Sequence, residues 1–167
     1  MSAEADPVYD VVIVGAGSGG YACALRAAQL GLTVALIERD KLGGTCLHRG
    51  CIPTKALLHA AEVADVARDG ARFGVQSSVS GIDMPAVLSY QQSVVSRLYK
   101  GLQGLVKSAK IDMIHGDARL ASPTTVSVGD RILTGRNLVV ATGAASRNIP
   151  GVTIGGRILS SDEALRA

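Results

Sequence analysis

Short runs of consecutive apolar residues alternate with stretches of helical periodicity along this 167-residue chain. Tyr9 to Val14 is apolar and β-branched and too short for a helix, so it predicts a fully buried strand. It runs into Gly15-Ala16-Gly17-Ser18-Gly19-Gly20. Tyr21 to Leu30 is rich in strong helix formers, and Gly31 stands where a helix stops. Thr33 to Ile37 predicts a second buried strand ending at Glu38. A helix is expected from about Pro53 to Arg68, with proline in its first turn and Leu57, Leu58, Ala61 and Ala64/Asp65 tracing its faces. Residues 69–82 read as a polar loop. Asp83 with Pro85 opens a long amphipathic helix to about Lys110. Its stripe of Val87, Leu88, Val94, Val95, Leu98, Leu102, Leu105 and Val106 predicts core packing rather than a cofactor site.

The last third reads as sheet. Ile111 to Ile114 is a short strand. Leu120, Thr125 to Val128 and Ile132 to Leu133 alternate, with a two-residue hairpin turn at Gly129-Asp130 that wants glycine first. Asn137 to Ala141 is a further apolar strand ending in Thr142-Gly143-Ala144. Ile149-Pro150-Gly151 begins a turn-rich exit, and residues 158–165 hold a helix cap and an incipient helix. The pattern is α/β: a central parallel sheet, long helices and a small antiparallel β-meander. A loose tail over 1–7 would precede one domain over 8–167.

Composition narrows this reading. Hydrophobic residues make up 47%, with no Trp and one Phe, so the core must be aliphatic. The net charge of +3 is small and the basic residues are scattered, which argues against a nucleic-acid surface. The acidic start has no signal-peptide pattern, and no apolar run approaches a membrane span, so a cytoplasmic protein is expected. Three cysteines in that compartment point to redox or metal chemistry. Cys23, inside a helix, is expected to be a small buried apolar residue.

Two constellations carry chemistry. The first is strand, glycine turn, helix, strand, acidic residue. Gly15 permits the tight turn, Gly17 lets a pyrophosphate reach the backbone, and Gly20 lets helix and strand pack closely. The helix N-terminus offers free N–H groups and partial positive charge to phosphates. Glu38, 18 residues after Gly20, can accept hydrogen bonds from a ribose. The bland reading, a glycine-rich turn with no ligand, leaves Glu38 unexplained.

The second is Gly43-Gly44-Thr45-Cys46-Leu47-His48-Arg49-Gly50-Cys51-Ile52-Pro53-Thr54-Lys55. Zinc sites mostly use shorter cysteine spacings with a second ligand pair, and no second pair exists here. The pair points to a disulfide that opens and closes, with no metal. Cys51 would lie at a helix N-terminus, where the dipole stabilises a thiolate. Lys55 follows one turn later, and by itself would be read as a solvated surface lysine.

With Ala141-Thr142-Gly143 and Ile149-Pro150-Gly151 these blocks stand in an order that resembles the FAD-dependent pyridine nucleotide–disulfide oxidoreductases. Leu47 and Ile52 stand where glutathione and mercuric reductases usually carry Val, so the chain is most similar to the members that oxidise dihydrolipoamide. His48-Arg49 departs from the commoner Asn-Val and is expected to alter little, since these residues bridge the cysteines. The resemblance implies a Rossmann-like FAD-binding domain. In it Gly15, Gly17 and Gly20 cradle the FAD pyrophosphate and Glu38, with Arg39 beside it, meets the adenosine end. Thr45 and Lys55 contact the flavin side, Ala118 meets the adenine through its backbone, and Thr142 and Gly143 pass close to the cofactor. Cys51 would be the thiol against the flavin, and Cys46 the outward thiol that exchanges with dihydrolipoamide on a lipoyl-bearing partner protein. The family continues into an NAD domain, a further FAD-domain strand and an interface domain that gives the homodimer a His–Glu pair. His48, His59 and His115 do not match that histidine. The chain is therefore expected to be an FAD-binding segment without full turnover by itself. The alternatives are a reductase of mercuric ion or another disulfide, and a binding fragment with an idle disulfide.

Overall fold

The computed structural model describes residues 7–167. Apart from Pro7, the tail expected over 1–7 lies outside the described residues. The chain divides into two compact units. The first holds residues up to Cys46 together with Tyr99–Ala145, and the second holds Leu47–Leu98 with Ser146–Ala167.

The first unit is a six-stranded sheet. Its strands are β1 (Val8–Val14), β2 (Val34–Glu38), β3 (Asp112–His115), β4 (Ala118–Leu120), β5 (Thr125–Val128) and β6 (Arg131–Val140), in the order β3-β2-β1-β6-β5-β4. β3, β2, β1 and the second part of β6 run parallel, and β6, β5 and β4 form an antiparallel meander. The two apolar stretches read as Ile132–Leu133 and Asn137–Ala141 are one strand. Residues 131–134 pair with β5, and 134–140 pair with β1 in parallel register. Gly135 breaks the apolar pattern inside this strand for a packing reason: a β-carbon there would lie 2.7 Å from Val12 Cγ2. The turn at Gly129-Asp130 is the two-residue hairpin expected, closed by Val128 opposite Arg131 with Gly129 at φ +56.

Helix α1 (Ser18–Gln29) packs on β1 and β2 and buries Gly20, Ala24 and Ala27. It begins three residues earlier than the sequence suggests, because Ser18, Gly19 and Gly20 are already helical. Leu30 caps it and Gly31 follows at φ +81, the left-handed stop expected of glycine. Cys23 is half-buried rather than buried. The core around β1, β2 and the meander is aliphatic apart from Tyr9: Val12, Ala35, Ile37, Ile114, Val126, Val128 and Leu133.

The second unit is helical. Helix α3 spans Cys51–Asp69 and runs into a 3-10 turn, Gly70–Phe73, within the stretch expected as plain loop. Helix α4 (Met84–Ser108) starts where Asp83 Oδ1 accepts the Ala86 N–H at 3.1 Å. The boundary between units falls within α4 and within a short helix, α2 (Gly44–Arg49). The stripe on α4 is only partly core. Leu102 and Val106 are buried, but Leu98 and Leu105 are exposed. A short helix, α5 (Ser161–Ala164), closes the chain with a capping box between Ser160 and Glu163. Among the described residues no helix is long and apolar enough to cross a membrane.

Candidate active site

In the sheet unit, β1 is the point at which the strand order reverses. The chain leaves β1 through α1 to β2 on one side, and β6 lies on the other. In open parallel sheets the crevice beyond the carboxyl ends of strands at such a reversal is the usual ligand position. The glycine turn Gly15–Gly20 sits there. Three backbone bonds tie it down. Gly15 N donates to Ile37 O at 2.8 Å, Ala141 N donates to Val14 O at 2.8 Å, and Gly43 N donates to Ala16 O at 2.8 Å.

The three glycines have separable roles. Gly15 has φ +98, and a β-carbon on it would lie 2.3 Å from the Ala141 carbonyl oxygen. A β-carbon on Gly20 would lie 1.8 Å from the Gly15 carbonyl oxygen. Both glycines are therefore required by the protein's own packing. Gly17 is different. Its φ is −69, and the nearest atom to a β-carbon there would be Gly44 Cα, at 3.9 Å. Neither strain nor protein packing demands glycine at 17, whereas a group that approached the backbone there would. Gly17 is also the N-cap of α1, and it makes no side-chain cap bond. The first turn carries no acidic side chain, and the N–H groups of Ser18, Gly19 and Gly20 have no acceptor within the helix. The cradle thus suits a phosphate anion.

Gly43 and Gly44 complete the cradle, and no side-chain chemistry marked them. Their φ values are +105 and +57, and a β-carbon on Gly44 would lie 2.7 Å from Gly17 Cα. The only signal in the sequence is the glycine pair itself.

Glu38 ends β2 and is half-buried. Its Oε2 accepts the Ala16 N–H at 2.7 Å and its Oε1 accepts the Asp40 N–H at 2.9 Å. One carboxylate therefore braces the glycine turn from the neighbouring strand, a task not evident from its spacing. A carboxylate has about four lone-pair sites, so acceptor capacity remains for a hydroxyl. Arg39 follows, exposed, with its Nη1 3.9 Å from Asp117 Oδ1. Ala118 opens β4 opposite Val128. Thr142 and Gly143 follow β6, exposed, with Gly143 at φ +73.

The cysteine stretch is more helical than its glycines suggest. Thr45 and Cys46 lie on α2, Thr45 exposed and Cys46 half-buried. Gly50, at φ −145 and ψ −107, interrupts the chain, and Cys51 is the first residue of α3. Thr54 fixes that start, its N–H and its hydroxyl both donating to Gly50 O at 3.1 and 2.7 Å. Cys51 is exposed at the head of a 19-residue helix with no acidic residue in the first turn. Lys55 stands one turn along α3 from Cys51, also exposed. Both Cys46 and Cys51 are thiols in this structure. Among the described residues no group of three or more His, Cys, Asp or Glu side chains is arranged to hold a metal ion.

A family model described as pyridine nucleotide-disulphide oxidoreductase matches residues 9–167. The chain belongs to this family. Curated relatives agree. It is 44% identical to the dihydrolipoyl dehydrogenase of Bacillus subtilis over 95% of its own length. It is 43% identical to the mitochondrial dihydrolipoyl dehydrogenase 1 of Arabidopsis thaliana over 93% of its length. It is also 41% identical, again over 93%, to the leghemoglobin reductase of Vigna unguiculata. These alignments cover 36%, 32% and 31% of the relatives, so the chain spans about a third of their length.

Proposed function

We propose that this chain is the FAD-binding and dithiol–disulfide part of a dihydrolipoyl dehydrogenase, with residues 8–167 as its FAD domain. The observation that carries the reading is the 44% identity to an enzyme of that name over nearly the whole chain. The free side of Gly17 supports a bound pyrophosphate, since nothing else in the structure calls for glycine there. Glu38, with Arg39 nearby, would serve the adenosine ribose, and Ala118 the adenine. Thr45, Lys55, Thr142 and Gly143 are assigned to the remainder of the cofactor.

Cys46 and Cys51 would carry the exchange. A thiolate of dihydrolipoamide attacks Cys46 Sγ of the oxidised pair. The new sulfur–sulfur bond forms as the Cys46–Cys51 bond breaks, and Cys51 leaves as a thiolate at the head of α3. The second lipoyl thiolate attacks the lipoyl sulfur of the mixed disulfide. Cyclic lipoamide forms and Cys46 is released as a thiolate. Two electrons have then passed from the lipoyl group to the cysteine pair. FAD, held at the glycine cradle by Gly15, Gly17, Gly20 and Glu38, would supply a two-electron acceptor for the reduced cysteine pair, with NAD+ as the eventual acceptor. The lipoyl group would arrive on a partner protein, and the whole enzyme would be a cytoplasmic homodimer.

The test is to mix the purified chain with FAD and pass it through gel filtration. The retained visible absorbance is followed, and thiols are counted after anaerobic dihydrolipoamide is added to the oxidised chain. Flavin that travels with the protein and two new thiols per chain are the expected result. Flavin that elutes separately together with an unreduced disulfide would overturn the proposal for this chain. Reduction of mercuric ion or another disulfide in preference to lipoamide would favour a related reductase.

A further inference from the structure

The turn that precedes Cys46 is fastened to the glycine cradle, and Cys46 follows it by two residues. Gly43 is buried, and its N–H donates to Ala16 O at 2.8 Å. Gly44 N donates back to Lys41 O at 3.2 Å and closes the turn, with Leu42 buried inside it. Gly44 then lies against Gly17, backbone on backbone. A β-carbon on Gly44 would fall 2.7 Å from Gly17 Cα and 3.5 Å from Gly17 N. Gly44 is also the first residue of α2, the helix that carries Cys46. All of these residues, Cys46 included, belong to the sheet unit.

A contact of this kind transmits position. A side chain yields to a neighbour by changing rotamer, whereas two glycine backbones in contact have no rotamer to change. Helices and hydrogen-bonded turns carry a displacement as one piece. At a rise of about 1.5 Å per residue, Cys46 is only about 3 Å along α2 from Gly44. The glycine turn therefore reaches Cys46 through two backbone junctions, the bond from Gly43 N–H to Ala16 O and the contact of Gly44 with Gly17. Ala16 is itself braced, since its N–H donates to Glu38 Oε2 at 2.7 Å. Gly17 is the glycine of the turn whose own side is left open. A group bound on that side would restrain the same backbone on which Gly44 rests.

We infer that Gly44 is a positioning residue for Cys46 and couples the phosphate cradle to that thiol: an anion seated at Gly17 fixes the start of α2, and with it Cys46. The inference rests on the proposed function, both for a pyrophosphate at Gly17 and for Cys46 as a reactive thiol. Glycine at 44 is then required twice, once for its left-handed φ of +57 and once for the approach to Gly17.

The test uses ADP, which carries a pyrophosphate and a ribose but no flavin ring. The reduced chain is alkylated with iodoacetamide, whose carbon bonds to the thiolate sulfur as iodide leaves. Labels at Cys46 and Cys23 are quantified separately by peptide mass spectrometry, and ADP binding is measured in parallel by equilibrium dialysis. Cys23 is half-buried in the same unit and is the internal reference. Coupling between sites is commonly about fivefold or more, so saturating ADP should slow Cys46 by at least about that factor relative to Cys23. In Gly44→Ala the new methyl pushes the start of α2 away from Gly17. Cys46 should then react faster without ligand, and saturating ADP should no longer slow it. Gly129→Ala is the matched control: Gly129 has φ +56 against +57 at Gly44, and a β-carbon there meets nothing within 4 Å. It carries the same left-handed strain without the contact and should label as the parent chain does. An ADP-bound parent chain whose Cys46 reacts at the ligand-free rate would overturn the inference. So would slowing that persists in ADP-bound Gly44→Ala, because bound ADP would then shield the thiol by itself. So would ligand-free rates that change equally in Gly44→Ala and Gly129→Ala. Failure of the functional reading shows differently: the parent chain would retain no ADP in dialysis, and the ligand-free rates of the two variants would still decide whether Gly44 positions Cys46.

Discussion

Gly20 and Gly15 touch at the head of α1 so closely that a β-carbon on Gly20 would fall 1.8 Å from the Gly15 carbonyl oxygen. Gly17, midway between them in the same turn, has only Gly44 Cα within reach, at 3.9 Å. Gly20→Ala should therefore destabilise the fold by about 2 kcal/mol or more, as overpacked cores do, and weaken FAD binding only as a consequence. Gly17→Ala should leave the urea midpoint of the FAD-free chain nearly unchanged and abolish flavin retention. A matched loss of stability in both variants would contradict the division of roles.

Glu38 is the second support of that turn, through its 2.7 Å bond from the Ala16 N–H. Glu38→Ala strips the turn of a charged acceptor and, on the proposed function, would strip FAD of a ribose partner. Hydrogen bonds to charged groups contribute about 1.5–3 kcal/mol, so FAD affinity should fall roughly 10- to 100-fold. Glu38→Gln keeps one acceptor oxygen and should fall between this variant and the parent chain. Titration with FAD by fluorescence quenching gives all three values.

What the sequence made legible was mostly what side-chain pattern controls. The buried strands β1 and β2, the glycine stop at Gly31 and the capped end at residues 160–163 follow from apolar runs, backbone freedom and cap chemistry, and each stands where the pattern puts it. The candidate site was proposed from the sequence as a set of residue types. The contacts made by backbone were not. The bond from Ala16 N–H to Glu38 and the approach of Gly44 to Gly17 depend on how distant segments fold together, which local propensity does not encode. β6 was read as two strands for a similar reason. Gly135 looks like a break until its close fit against Val12 is known. The Arg49–Asp162 pair joins positions 113 residues apart and has no local signature.

Asp10 gives a pH signature. Its carboxyl is held below the usual carboxylate value by hydrogen bonds from the Thr33 backbone and hydroxyl, helped by Arg136. A carboxylate with a lowered folded-state pKa contributes stability that is fully present above its unfolded pKa, about 3.9. That contribution disappears as pH falls through the folded value. Asp10→Asn should therefore be less stable than the parent chain at neutral pH, and the gap should close as the solution is taken below pH 4. Urea midpoints across that range measure it. A gap that stayed constant down to strong acid would show that ionisation of Asp10 plays no part.

The stripe on α4 offers a contrast within one helix. At 3.6 residues per turn, Leu102 and Val106 lie about 40° apart. Leu98 and Leu105 fall just outside that sector, so the apolar stripe is wider than the strip that is covered. Leu102 is 9% exposed and Leu105 is 56% exposed. Leu102→Ala removes buried methyl groups and should cost about 2–4 kcal/mol, through lost transfer energy and the cavity left behind. Leu105→Ala should change stability by no more than about 0.5 kcal/mol. Both substitutions keep strong helix formers, so helix propensity does not obscure the comparison. Equal losses in the two variants would mean that the outer line of the stripe is covered in solution.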